Sequence, residues 1–271
     1  MKRRPYGLIR HSSFDIRHFS SSSPRGAYPV TLKNRLAFLI IPLLLAVLGY
    51  AFVVHLLEAR QAARNSRCRG RLGQIALMLD NYVDANGALP ASAITNDNGM
   101  PLLSWRAAIL RHSNPEDTGI DFSQDWKSPT NIAIGQDSRL RFDGYFHSEN
   151  DTDADSRNTS FVGLGFATSD LQLVEKGQQR ILIIEVCNTG IHWMEPRELG
   201  VDEVRTRVLE RLERGDAVHF LTADGRIGTM SNNSIRFYGD RPEVIRKPNA
   251  ELFREWTGDE KSGQGTGTPG G

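Results

Sequence analysis

Two short stretches of this 271-residue chain hold side chains that acid–base or metal chemistry uses. His192 and Glu195 stand close in sequence, and His219 precedes Asp224 by one short turn of chain. Imidazoles and carboxylates are the common ligands of catalytic zinc and the common proton carriers of hydrolysis. Together the four define one reading, a membrane-tethered, metal-dependent hydrolase. The same region would serve a ligand-binding sensory domain, provided that a sizeable apolar pocket with few polar groups lies beside it. The helical signature of zinc hydrolases places two histidines one turn apart around a glutamate, and this chain has no such motif. Pro196 also opposes a helix through the first stretch. The simpler reading is structural, with Trp193 packed in the interior and His192 and Glu195 hydrogen-bonded around it.

Asp151, Asp153 and Asp155 alternate like the start of a calcium loop, and hard oxygen ligands of this kind bind calcium. The EF-hand pattern then requires Gly where Ser156 stands and Glu where Val162 stands, so a solvated acidic loop is the expectation. Cys68 and Cys187 are too few for a disulfide scaffold or a cysteine-built zinc site. Neither has an adjacent His, so inert thiols are expected. Gly163-Leu164-Gly165 lacks the third glycine of a phosphate loop, and no Gly-x-Ser-x-Gly elbow occurs. No catalytic residue, cofactor or resident metal is assigned.

The elements that must position these residues are legible in outline. Ala59, Ala62, Ala63, Ser66, Leu72, Ile75, Ala76, Leu79, Tyr82 and Val83 recur at three- and four-residue steps, the period of an amphipathic helix. Asn86-Gly87 offers a stop and Pro90 prevents continuation. Ser104 caps a short helix through Leu110. Strands are predicted at Ser160 to Phe166 and Arg180 to Val186, and a hairpin around Asp224-Gly225. Val201 to Glu213 has helical spacing and dense alternating charge, as on a surface helix.

Composition is ordinary for a soluble chain, 39% hydrophobic and 24% charged with a net charge of +1. It excludes wholesale disorder, a multi-pass membrane protein and a fibrous repeat. The averages conceal segregation. From Leu36 to Leu57 run 22 residues without a formal charge, 19 of them apolar. As a helix this run measures about 33 Å, enough to cross a bilayer core of about 30 Å. It lacks the polar stripe of a core helix and the cleavage site of a signal peptide. Residues 1–35 carry eight basic residues against one acid, and residues 58–72 carry five against one, which leaves −10 from Gly73 onward.

This organisation predicts four parts. Residues 1–35 are a basic, disordered tail with an internal Ile-Arg-His repeat, unless residues 1–28 come from an over-called start. Residues 36–57 are a membrane helix whose partner is the lipid bilayer. Residues 58–260 are an extracytoplasmic α+β domain, and residues 261–271 a flexible Gly-rich tail. The basic excess before the span favours a cytoplasmic N-terminus, in a cytoplasmic membrane. Other envelope proteins are the expected partners, and nothing requires a nucleic acid.

Several segments recur in a known order. They are Ala59-Arg60-Gln61-Ala62-Ala63-Arg64 with Cys68, Leu72-Gly73-Gln74-Ile75-Ala76-Leu77 and Asn81-Tyr82, then Gly87 and Pro90. Next come Ser104-Trp105-Arg106, Trp126-Lys127-Ser128-Pro129 with Asn131, and Thr159-Ser160-Phe161-Val162-Gly163. Last are His192-Trp193-Met194-Glu195-Pro196 and Ala223-Asp224-Gly225. In order and spacing the set resembles a family of pseudopilin-like proteins abundant in planctomycetes, domain-of-unknown-function family 1559. The resemblance implies a type IV pilin-like N-terminal helix packed on an antiparallel, envelope-exposed sheet, with no established reaction. It marks Trp105, His192, Trp193, Glu195, Pro196, Asp224 and Gly225 as motif residues. The chain departs from the family's processing motif. Leu32-Lys33 stands at the cut and Ala37 at the acid that aligns filament subunits. The family's second cysteine is missing, and Leu212-Glu213-Arg214-Gly215 replaces its His-x-Gly-Gly.

Overall fold

The computed structural model describes residues 32–113, 118–136, 143–164, 180–231, 233–239 and 242–246. The basic tail up to residue 31, Gly165-Phe166 and the Gly-rich terminus lie outside the described residues. The chain divides into two compact units, one ending at His55 and the other beginning at Leu56.

The first unit contributes the start of a single long helix, α1, Leu32–Asn86. It includes Pro42, so the helix continues through the one residue that cannot donate its backbone hydrogen bond. From Ile40 onward it holds a window of mean hydropathy 2.5 with none of its residues buried in protein. Leu43, Leu48 and Phe52 are each more than 60% exposed. This is the one described helix long and apolar enough to cross a membrane.

The second unit is α+β, as the periodicity predicts. After the second half of α1 come a hairpin of β1 (Ala93–Thr95) and β2 (Pro101–Ser104), α2 (Trp105–Ser113), α3 (Pro129–Gln136) and α4 (Asp143–Phe146). Then follow β3 (Phe161–Gly163), β4 (Ile181–Glu185), α5 (Val201–Glu213), β5 (Val218–Thr222), β6 (Ile227–Ser231), β7 (Ser234–Tyr238) and β8 (Val244–Arg246). Strands β3 to β8 form one antiparallel sheet in sequence order. Both of its faces are covered, which is why β4 and β5 are buried at every position instead of alternating.

One face packs against α1 and α2. Leu72, Ile75 and Leu79 meet Trp105 and Ile109, with Phe161, Ile183 and Leu221 of the sheet. The opposite face receives Val204, Val208 and Leu212 of α5, spaced one turn apart, against Val162, Ile184, Val218, Phe220, Met230 and Phe237. A register shift between Ile181 and Ile183 breaks the alternation, so that Leu182 and Ile183 both join the α1 side.

The predicted stops and caps hold. The Gly87 amide donates to Val83 O at 2.7 Å and ends α1. Ser104 Oγ accepts the Ala107 amide at 3.4 Å, at the third position of α2. Asp224-Gly225 lies in the β5–β6 loop with Gly225 at φ 81°, although the loop takes four residues, not two. One expectation fails in detail. Ala59, Ala62, Ala63 and Ser66 are exposed, and the buried stripe of α1 begins at Cys68. Above that point the side of α1 facing the domain carries Gln61, Arg64 and Asn65, which make hydrogen bonds instead of apolar contacts.

Gly228 faces Phe220 across the β5–β6 pair, and a Cβ there would run into the ring. Phe220 is fully buried and packs edge-on against Phe237 at 5.8 Å, so it has nowhere to move. Gly228→Ala is expected to cost about 1–3 kcal/mol. Chemical denaturation of the purified chain measures this, and an unchanged midpoint would contradict the packing described.

Candidate functional site

The residue on which the second unit's polar interior is built is Glu185, the last residue of β4. Its neighbours Ile181 to Ile184 are apolar, and its own side chain is fully buried. An isolated carboxylate in such a place would take up a proton. Here donors converge from four other residues. His219 of β5 gives Oε2 its ring Nδ1 at 2.7 Å and its backbone amide at 3.1 Å. Ser148 Oγ donates to Oε1 in a short bond, and Asn150 Nδ2 donates to the same oxygen at 3.2 Å. Arg211 of α5 brings Nη1 to 3.8 Å of Oε2. Burial by itself would raise the Glu185 pKa. The His219 bond, the Arg211 charge and the Ser148 bond outweigh it and hold the pKa down to about 2.

Cys68 of α1 completes the network. Ser148 has one hydroxyl proton and gives it to Glu185, so the Cys68 thiol, 2.9 Å from Ser148 Oγ, donates to that oxygen. Burial, reinforced by the Glu185 charge, raises the Cys68 pKa and keeps the thiol protonated. Cys187 is also raised, chiefly by burial. Both cysteines are free.

The order of the groups decides the chemistry. A Ser-His-Asp triad sets imidazole against the nucleophile, with the carboxylate behind the imidazole. In this interior the carboxylate stands between Ser148 and His219, and His219 Nε2 is buried without a hydrogen-bond partner. Among the described residues, neither Ser148 nor Cys68 therefore has an imidazole base in hydrogen-bond contact with it. Cys68, Glu185 and His219 also form the one described group of three potential metal ligands, with ligand atoms within 4.8 Å of one another. A thiolate, a carboxylate and an imidazole suit zinc. A dication there would have to displace the His219 proton, strip the raised thiol and sit beside Arg211. The set is engaged in hydrogen bonds, and it works as a clamp between α1, β4 and β5.

The residues singled out by sequence lie elsewhere or serve other ends. Only His219 enters the network. His192 stacks on Trp126 at 5.1 Å and accepts the Met194 amide at 3.2 Å. Burial, followed by the Arg157 charge, lowers its pKa to about 4, so it is neutral at physiological pH. Glu195 pairs with Arg197 at 2.8 Å, and Asp224 accepts a short bond from Thr222 within the hairpin loop. Trp193 stacks on Phe146 at 5.9 Å, and Trp105, fully buried, donates its indole N–H to Glu198 at 2.8 Å. Pro196 and Gly225 occupy the turn after Trp193 and the hairpin loop. The three aspartates accept bonds within their own loop, and Asp151 also from Ser160 and Asn188. The Asp153 amide caps Asp151, the Asp155 amide caps Asp153, and Arg157 clasps both oxygens of Asp155 at 2.7 Å. The Asp155 amide bond lowers the Asp153 pKa, and the Arg157 side chain lowers that of Asp155.

Sequence reading passed over Glu185, Ser148, Asn150 and Arg211. A signal for Glu185 exists, since a single acid inside the apolar run ILIIEV of a central strand needs buried partners. Ser148, Asn150 and Arg211 sit in stretches without a pattern. Beside the network opens a cleft of about 450 Å³, lined by Gln61 and Arg64 of α1, Glu149 to Thr152, Cys187-Asn188, and Arg211, Arg214 and Asp216 around the end of α5.

Glu185→Gln keeps one acceptor oxygen but leaves Arg211 buried without its counter-charge and sets an amide NH2 against the donors around it, so it is expected to cost about 3–5 kcal/mol. The pH dependence has a definite sign. Because the folded pKa lies below the ordinary 4.5, the unfolded chain binds the proton more readily. The stabilisation is complete above pH 4.5 and is lost as pH falls towards about 2. Denaturant titrations across that window should show the acid loss in the wild type and a flatter curve in Glu185→Gln. Equal slopes would contradict the assignment.

No curated protein and no solved structure matches the chain. Residues 58–165, which include the second half of α1, α2, α3 and β3, match the model of a family described as a protein of unknown function (DUF1559).

Proposed function

We propose that the chain is a membrane-anchored structural or protein-interaction component, without catalytic activity of its own, and that it is a pseudopilin-like member of the matched family. The observation that carries this reading is α1. One helix holds an unburied window of mean hydropathy 2.5 and, past Leu56, supplies Cys68, Leu72, Ile75 and Leu79 to the interior of the second unit. An exposed apolar run of that length is costly in water and favourable in lipid. Supporting it, the basic excess before the span favours an N-terminus in the cytoplasm and the α+β unit outside. The cell envelope is then its location, and other envelope proteins, of a secretion or pilus-like apparatus, its partners. The hydrolase alternative called for His192, Glu195, His219 and Asp224 to converge, and each has separate partners. The Leu32-Lys33 and Ala37 departures argue against processing by the pilin route.

The anchor is tested by membrane fractionation with an alkaline carbonate wash. The intact chain is expected to stay with the membranes, and its release into the soluble fraction would sink the reading. Mass spectrometry of the mature N-terminus tests the processing claim, which a cut between Leu32 and Lys33 would refute.

A further inference from the structure

We propose that the cleft beside the Glu185 network binds a small oxyanion-bearing molecule, a phosphate or a carboxylate. The proposal goes beyond the anchoring reading and does not depend on it. Three guanidinium groups line the cleft, Arg64 from α1 and Arg211 and Arg214 from the end of α5. Planar N–H forks of this kind match the oxygens of phosphate and carboxylate. Three acids line it as well, so charge alone does not choose the ligand. Hydrogen bonding does.

Two of the three acids are engaged in hydrogen bonds, and the third only in an ion pair. Glu149 is held by Arg71 at 2.7 Å, with Arg67 at 3.8 Å. Asp151 accepts the Asn188 amide at 3.0 Å, Ser160 Oγ at 2.6 Å and the Asp153 amide at 2.9 Å. Asp216 faces Arg214 at 3.6 Å, too far for a hydrogen bond. The arginines retain donors. Among the described residues, Arg64 has a single hydrogen-bond partner, the neutral side chain of Gln61. Arg211 Nη1, although buried, has no acceptor within hydrogen-bond range. Arg214 is 62% exposed. A molecule entering the cleft therefore meets unused N–H groups and few free acceptors, which favours an oxyanion over a cation or an apolar ligand. The volume of about 450 Å³ admits an organic anion as well as an inorganic one. Since Arg211 also faces Glu185, such a ligand would bear on the clamp that joins α1 to the sheet.

The test uses the full chain purified in detergent micelles, with sodium phosphate and sodium succinate titrated calorimetrically at fixed ionic strength. Saturable binding of one anion per chain is expected. Binding of phosphate alone, or of succinate alone, supports the proposal and names the ligand class. Arg64→Ala should weaken binding at least tenfold without lowering the melting temperature, because Arg64 has no acidic partner among the described residues. Arg214→Ala provides the same test if Arg64→Ala fails to fold. Arg60→Ala, one turn away on the same helix and outside the cleft, should bind as the wild type does. The absence of saturable binding of either anion, or equal weakening in Arg60→Ala and Arg64→Ala, would overturn the proposal.

Discussion

An ionised carboxylate without solvent carries a desolvation penalty of several kcal/mol, and the fold of the second unit is arranged around meeting it at Glu185. The donors come from places far apart in sequence, Ser148 and Asn150 after α4, His219 on β5 and Arg211 on α5. Cys68 of α1 joins through Ser148. Apolar contacts between a helix and a sheet tolerate sliding and rotation, whereas a directed hydrogen-bond network does not. The network accordingly fixes the rotation of α1 at Cys68, and the apolar stripe from Leu72 to Leu79 follows from that setting.

A second carboxylate repeats the device near α2. Glu198 accepts the Trp105 indole at 2.8 Å, Arg106 Nη2 at 3.1 Å and the Gly163 amide at 3.1 Å, and Arg106 Nη1 forms an ion pair with it at 2.8 Å. Arg106 is fully buried and also donates to Phe161 O at 2.7 Å. Between them the two acids hold α1 and α2 against the β3–β4 edge of the sheet. The segment from His192 to Pro196 lies in the same region, and its Trp193 and Met194 are buried in the core while Ser104 Oγ donates to Trp193 O at 2.7 Å. Of the residues marked by family resemblance, Trp105 and Trp193 are packed in the core, whereas Asp224 and Gly225 are exposed in the hairpin loop. Asn131 is buried like the two tryptophans. Its amide group bonds Asp121 O and Asp125 O, and its carbonyl accepts the Asp121 amide, closing the loop before α3.

Much of this fold is legible in the sequence wherever a local rule acts. The 3.6-residue period marks α1 and α5, Gly87 and Ser104 mark helix ends, and Asp224-Gly225 marks the hairpin. The short pieces β1, β2, β7, β8, α3 and α4 are not legible, because three to eight residues carry too little pattern to separate strand from loop. The polar network is not legible for a different reason. Its members are non-local, and each alone resembles a surface residue. His192, Glu195 and Asp224 stand out in sequence because chemistry-bearing types lie near one another, whereas His219 meets its partner 34 residues away.

Glu185 is ionised inside the protein and organises the groups around it. A carbon-13 NMR titration of selectively labelled Glu185 in the folded chain tests this most directly. The carboxyl resonance should titrate near pH 2, well below the ordinary 4.5. An inflection at or above 4.5 would mean that burial outweighs the His219, Ser148 and Arg211 contacts, and that Glu185 is not held as the anion.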